Sequence, residues 1–158
     1  MRFRTLLFVA LFAAMTTPAR ADVTGFIGAN TTPANRLVKG GAVGFTVLII
    51  GVEFEYADTS EDVSAHAPGL KTGTANLVLQ PPFAVFGVQP YFTTGGGVYH
   101  ETSGTSGDTN LGLDVGGGVK IALAGPLKVR VDYRVFTLGS GAQYSPTHRI
   151  YAGLNLAL

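Results

Sequence analysis

The chain contains no cysteine, which excludes disulfide bonds, thiol catalysis and cysteine-bound metal sites. It also lacks a long apolar run after residue 21, where no segment approaches the 18 or more unbroken apolar residues of a membrane helix. Charge is scarce as well, since charged residues are 13% of the 158 residues. The outer faces of soluble domains carry more charge than this.

The first 21 residues have the pattern of a secretory signal peptide. Arg2 and Arg4 form a basic start, residues 6–15 form an apolar run, and Ala19-Arg20-Ala21 supplies small residues at a cleavage site. We predict cleavage directly after this segment, which leaves one domain at residues 22–158. That domain retains 8 Lys and Arg against 10 Asp and Glu, a formal charge of −2. It therefore has no basic excess to indicate a nucleic-acid partner.

Residues 127–138 carry the clearest structural pattern. Polarity alternates with a period of two, which predicts a β-strand, and about ten tilted residues are enough to cross a bilayer. One face holds Leu127, Val129, Val131, Tyr133 and Val135, and the other holds Lys128, Arg130, Asp132, Arg134 and Phe136. In a soluble sheet the charged face would meet water. In an outer-membrane barrel it would face the lumen.

Seven more segments read as strands, and glycine is about twice as common as usual, at 22 of 158 residues. We therefore predict an all-β fold, an eight-stranded antiparallel up-and-down transmembrane barrel. The further strands are residues 23–31, 37–47, 50–58, 72–80, 88–101, 110–123 and 148–158. The connections after strands two, four and six read as short, and those after three, five and seven as longer polar loops. This asymmetry puts both ends of the domain at the short-turn, periplasmic rim.

Charged residues on the polar faces of the strands form the candidate site. The lumen of an eight-stranded barrel is just wide enough for side chains to fill, so buried charges there must be paired. The set is Glu53, Glu55, Asp114, Lys120, Lys128, Arg130, Asp132, Arg134 and Arg149. We predict ion pairs between the two glutamates and some of Lys128, Arg130, Arg134 and Arg149. Glycines on the same faces would make room for the long side chains.

The last strand carries a resemblance to known proteins. Tyr151-Ala-Gly153-Leu-Asn-Leu156-Ala-Leu158 resembles the C-terminal assembly signal of bacterial outer-membrane proteins, although such signals usually end in Phe or Trp. The stretch from Thr74 to Pro81, followed by Gln89-Pro-Tyr-Phe-Thr-Thr-Gly-Gly-Gly-Val-Tyr99, resembles the small outer-membrane β-barrel family (OmpA transmembrane domain and OmpX-like).

The resemblance implies a monomeric barrel inserted by the barrel-assembly machinery, in contact with outer-membrane lipids and lipopolysaccharide. It implies a structural or surface-interaction role through the extracellular loops and no single activity. The alternatives are a small porin-like channel through the charged lumen, an outer-membrane lipid A-modifying hydrolase and a soluble periplasmic lipocalin-like binding barrel.

Catalysis would require a serine beside a histidine base. The lipid A deacylase family carries a His-x-Ser pair, and neither His100-Glu-Thr102 nor His148-Arg-Ile150 matches it. We therefore predict no enzyme, no catalytic residue and no cofactor. His66 with Glu61 and Asp62 has the composition of a metal site, but their spacing is not diagnostic, so we predict no metal. The acidic loop residues are candidate ligands for divalent cations that bridge lipopolysaccharide, namely Asp58, Glu61, Asp62, Glu101 and Asp108.

Overall fold

The computed structural model describes residues 20–158. The predicted signal peptide therefore lies outside the described residues, except for Arg20 and Ala21, which begin the first strand. Asp22, the first residue after the predicted cleavage point, already pairs with Gly44 on one side and Ala157 on the other. The pairing of the first strand from Asp22 onward thus lies entirely within the predicted domain.

Eight strands make up the regular structure of residues 20–158. They are β1 (Arg20–Asn30), β2 (Arg36–Val47), β3 (Ile50–Thr59), β4 (Gly69–Leu79), β5 (Val88–Ser103), β6 (Ser106–Ala124), β7 (Leu127–Leu138) and β8 (Thr147–Ala157). Each strand pairs antiparallel with the next, and β8 pairs with β1 to close the barrel. The predicted fold class and strand number are confirmed. Within the described range, no helix is long and apolar enough to cross a membrane.

The two faces of the sheet have the reverse of the distribution in a soluble protein. Large apolar side chains point outward and remain exposed, as Phe54 (54%) and Leu113 (68%) do, while Arg130 and Arg134 are fully buried. This exposed apolar surface extends around all eight strands. Lipid is the solvent that suits such a surface, because every backbone group in a closed barrel is already hydrogen-bonded within the sheet.

Two of the predicted connections are wrong in length. The β4–β5 connection spans residues 80–87, so it is not one of the short turns, and it is as long as the β7–β8 loop at residues 139–146. At the opposite rim the predicted loop at residues 101–109 is instead a two-residue turn, Gly104 and Thr105. Polar Ser, Thr and Asp residues here continue the β5–β6 ladder up to Ser103 and Ser106. Polar composition suggested a loop, but cross-strand pairing extends the hairpin past the rim.

Glycines on the inner face provide space for the large side chains. A Cβ at Gly116 would lie 2.3 Å from the Tyr133 carbonyl oxygen and 2.8 Å from Cγ of Arg134. At Gly118 it would lie 2.6 Å from the Tyr91 hydroxyl. The backbone of β6 can therefore pass close to Arg134 and Tyr91 only because no side chain intervenes.

We expect Gly116→Ala to destabilise the barrel by about 1–3 kcal/mol, because the added methyl overpacks the β6–β7 contact. Gly25→Ala is the matched control, since a Cβ at Gly25 has no atom within 4 Å and faces outward. Urea unfolding of the detergent-refolded proteins, followed by the folded band on unheated gels, measures both. Equal midpoints for the two variants would contradict this account of the inner glycines.

Candidate functional site

A buried ion-pair network crosses the middle of the lumen. Arg130 on β7 donates to both carboxylate oxygens of Glu53 on β3, the strand opposite, and Arg134 donates to Glu53 at 2.7 Å. Glu53 and Glu55 are inward-facing neighbours on β3, and Arg134 also lies 3.2 Å from Glu55. The structure thus brings together side chains from opposite walls, and these contacts close the central lumen.

Asp132 is the second centre of this network, between the two arginines on β7. It accepts hydrogen bonds from Arg130 at 2.8 Å and from Arg134 at 3.2 Å. The hydroxyls of Tyr91 and Tyr151 also donate to Asp132. A fully buried carboxylate with this many donors is well satisfied. Arg130 also lies over the Tyr91 ring, 4.8 Å from its centroid.

Arg149 extends the network toward the loop rim. It donates to Glu55 at 3.2 Å and to the Thr72 hydroxyl at 3.1 Å. Its guanidinium lies 4.3 Å from the centroid of the Phe136 ring. The Tyr151 hydroxyl, which also contacts Asp132, shares its single proton with the other oxygen of Glu55, 2.8 Å away. Glu55 is therefore shared between β7 and β8, whereas Glu53 pairs with Arg130 and Arg134 on β7.

Asp114 on β6 has the weakest contact in the network. Its carboxylate lies 3.4 Å from Arg134. The Asn76 side chain lies between these two residues. When its amide is oriented to satisfy both neighbours, it donates to Asp114 at 2.8 Å and accepts from Arg134 at 2.7 Å. A neutral amide thus completes the coordination of the Asp114 carboxylate.

Lys120 and Lys128 lie nearer the turn end of the lumen, apart from the glutamates. Lys120 forms an ion pair with Asp22, and Lys128 donates to Gln89 at 3.1 Å. Lys128 therefore does not take part in the glutamate pairs considered for it. A cavity of about 10 Å³ beside Lys120 is lined by polar groups of this network, and such a volume holds about one water molecule.

The signs of the buried charges are balanced among the described residues. The buried basic and acidic residues number five each, namely Arg36, Lys120, Arg130, Arg134 and Arg149 against Glu53, Glu55, Glu101, Asp114 and Asp132. The sequence placed nine charges inside but missed Asp22, Arg36 and Glu101. Asp22 lay at the first residue of the predicted domain, where periodicity cannot assign a face. Arg36 and Glu101 lie near the ends of β2 and β5, two strands that the sequence predicted to be shorter than they are.

The predicted polar interior also contains apolar residues at its loop-side end, beside buried polar ones such as Arg36 and Glu101. There Leu70, Tyr99, Phe136 and Leu138 form a buried apolar cluster, which Ala142 covers. A second cluster joins Phe26, Val38, Ala57 and Tyr151, in which the rings of Phe26 and Tyr151 stack with centroids 4.0 Å apart. The alternation in β7 could have predicted this apolar cluster, because Phe136 and Leu138 lie on the same face of the strand as Arg134. The lumen is therefore ionic in the middle and mixed, apolar and polar, toward the loops.

The connections at the loop rim are bonded to one another. Arg36 donates to the carbonyl oxygens of Thr32 and Pro68, and so joins the first two loops. The amide of Gly104 donates to Glu61 at 2.9 Å, and the amide of Gln143 donates to Glu101 at 3.1 Å. These bonds tie all four rim connections into one surface.

A cavity of about 440 Å³ opens among these loops. It is lined by Glu61, Asp62, Val63, His66, Ala67, Ser103, Gly104 and Gln143. Asp62 is held locally, since the Ser64 hydroxyl donates to it at 2.6 Å and the Ala65 amide at 3.1 Å. These two bonds hold the pKa of Asp62 below its usual value. The two carboxylates that line the cavity, Glu61 and Asp62, thus accept hydrogen bonds from the loops themselves.

The two histidines considered as catalytic bases, His100 and His148, form no hydrogen bond to a serine within residues 20–158. The His100 ring bonds the Thr109 hydroxyl at 2.7 Å, and the His148 ring bonds the Tyr133 hydroxyl at 2.6 Å. Both pairs lie on the outer face near the loop rim. Across residues 20–158, no group of three or more His, Cys, Asp or Glu side chains is arranged to hold a metal ion.

We expect Glu53→Gln to lower the free energy of unfolding by about 3 kcal/mol, because Arg130 and Arg134 would lose a shared buried counter-charge. Glu61→Gln is the matched control, since Glu61 is exposed and accepts a single hydrogen bond, from Gly104. We expect that control to change stability by less than about 1 kcal/mol. Urea unfolding in lipid vesicles measures both, and an unchanged Glu53→Gln midpoint would contradict a stabilising role for the network.

Comparison with known proteins gives structural matches alone. No protein-family model matches the chain, and no curated protein matches it. The N-terminal β-barrel domain of Pseudomonas aeruginosa OprF matches with a TM-score of 0.66 at 10% identity, covering 88% of this chain and 97% of that chain. Neisserial surface protein A matches with a TM-score of 0.65 at 17% identity, covering 87% and 94%.

The outer membrane enzyme PagL also matches, with a TM-score of 0.52 at 14% identity, covering 87% of this chain and 99% of that chain. An enzyme therefore shares this fold with a surface protein and a barrel domain, so the fold alone does not decide between activities. Identities this low carry the architecture and not the role. Residues 20–158 have the fold of the small eight-stranded outer-membrane β-barrels.

Proposed function

We propose that this protein is an integral outer-membrane barrel that serves the structure of the envelope and surface interactions through its loop rim. The observation that carries the proposal is the reversed burial, with an apolar outer wall and fully buried arginines inside. A soluble lipocalin-like barrel would need the opposite distribution, so this rival is disfavoured. Export through the predicted signal peptide at residues 1–21 is part of the same proposal.

The closed lumen supports a structural role over a channel. Arg130, Arg134 and Glu53 meet across the middle of the barrel, and the apolar cluster around Phe136 lies between them and the loops. An ion would have to displace both layers to pass. The bonded loop rim and its cavity of about 440 Å³ support the second half of the proposal, a surface formed by polar loops.

The last strand supports insertion by the barrel-assembly machinery. Tyr151 faces the lumen, while Leu156 and Leu158 are exposed on the outer wall. With Gly153, these residues form the predicted assembly signal, and its apolar members are accessible on the lipid-facing side of β8. Lipids and lipopolysaccharide are the expected surroundings of that wall, and the protein is expected to act as a monomer.

The detergent-refolded protein should give a β-rich circular dichroism spectrum and a gel mobility that changes on boiling, because a closed barrel resists unheated SDS. In planar bilayers the same sample should show no sustained conductance. A monodisperse, β-rich protein that is soluble without detergent would contradict the membrane barrel. A heat-modifiable protein with steady single-channel currents would instead favour the porin-like alternative.

The absence of cysteine allows a direct test of orientation in cells. Val63→Cys places a thiol on the loop rim, and Ala84→Cys places one in the β4–β5 connection at the other rim; both positions are exposed. A membrane-impermeant maleimide should label position 63 in intact cells, and position 84 only after the membrane is dissolved and the protein is unfolded in hot SDS. Labelling of position 84 alone in intact cells would reverse the proposed orientation.

A further inference from the structure

The two rims of the outer wall differ in polarity. Near the loop rim, the outward positions carry polar and charged residues on most strands, namely Lys39, Asp58, Lys71, His100, Thr109, Thr137 and His148. At the turn rim the outward positions stay apolar to the strand ends, namely Val47, Ile50, Leu79, Val88, Leu123 and Leu127. The apolar wall therefore has a polar boundary at one rim only.

The turns continue this apolar surface beyond the strands. The connections at the turn rim, residues 48–49, 80–87 and 125–126, contain no charged residue. Their exposed apolar side chains form what we call the apolar lip, namely Leu48 (50% exposed), Ile49 (52%), Phe83 (63%), Val85 (52%) and Phe86, which is fully exposed. Contiguous exposed apolar surface on this scale marks a contact with a membrane or a protein.

The backbone at the two turn tips provides an independent observation. Phe86 and Gly87 both have positive φ, 50° and 78°, and Val85 and Val88 exchange two backbone hydrogen bonds around them. This is a type I′ turn, in which Asn, Asp or Gly is the usual first central residue. Leu48 likewise has a φ of 58° at the tip of the β2–β3 turn.

Bulky side chains are strained at positive φ. The sequence nevertheless places a leucine and a phenylalanine at these two tips, where they make no core. A contact outside the barrel is the physical gain that would offset this strain. The turn holding Phe86 is also fixed in place, because the Ala122 amide on β6 donates to the Gly87 carbonyl oxygen at 2.8 Å.

We propose that the apolar lip is embedded in the lipid of the adjacent leaflet, so that the turn rim lies within the membrane interface. The lip is continuous with the lipid-facing wall and lacks the charge that would hold it in water, and exposed apolar surface of this kind is typical of a membrane contact. The inference rests on the proposed function, since it requires a membrane-spanning barrel. A protein partner would need the lip to protrude from the bilayer, whereas lipid contact requires only a deeper position of the barrel.

The chain has no tryptophan, so each substitution to tryptophan gives a single fluorescent probe. We would refold Phe83→Trp, Phe86→Trp and Ile49→Trp into phosphatidylcholine vesicles with lipids brominated near the headgroup end of the acyl chains. Phe54→Trp in the outer wall is the lipid-exposed control. Val63→Trp, exposed in a loop at the opposite rim, is the water-exposed control.

For the lip variants we expect blue-shifted emission relative to Val63→Trp, strong quenching by the brominated lipid and weak quenching by acrylamide. Emission and acrylamide quenching equal to those of Val63→Trp, in samples that retain the heat-dependent gel shift, would overturn the lip proposal and leave the barrel intact. A blue shift lost when protein is diluted at constant lipid would indicate a second copy, and would also overturn it. Loss of the gel shift in the unsubstituted protein would overturn the membrane barrel and the lip together.

Discussion

A charged side chain inside this closed lumen must be paired with an opposite charge, and much of the structure follows from that constraint. Arg130, Arg134 and Arg149 are fully excluded from solvent, so each requires carboxylates from another strand. Glu53 and Glu55 meet this need because β3 lies opposite β7 in the ring, and β8 is the neighbour of β7. The inner glycines beside Arg134 and Tyr91 follow in turn, because side chains this long need the space that a Cβ would occupy.

The same constraint explains why the network is shared and not a set of isolated pairs. Glu53 serves two arginines, and Asp132 accepts from two arginines and two tyrosines. In a medium of low polarity, each additional donor lowers the cost of keeping a carboxylate charged. Neutral Asn76, Tyr91 and Tyr151 supply bonds without adding charge, which keeps the numbers of buried acidic and basic residues equal.

The strands and their facing could be read from the sequence because period-two alternation is local, and in β7 and β3 it is nearly free of exceptions. The partners of each charge could not, because Glu53 and Arg130 are 77 positions apart and meet only when the ring closes. The β5–β6 turn was missed because ladder pairing overrode a polar composition that usually indicates a loop. The roles of Tyr91 and Tyr151 were missed because an inward tyrosine has the same alternation as any other residue.

A lumen filled in this way restricts where function can reside. Most polar side chains in the middle of the barrel are hydrogen-bonded or ion-paired with one another. A substitution there therefore lowers the stability of the fold. Substitutions on the outer wall disturb no internal contact, but this wall faces lipid, which favours apolar residues. The two rims remain, and they are chemically distinct. One carries cross-bonded polar loops around a cavity, and the other carries leucine and phenylalanine at strained turn tips. With the apolar lip embedded in lipid as proposed, the barrel would have a defined depth and direction in the membrane, and the polar loops would be the surface available to other molecules.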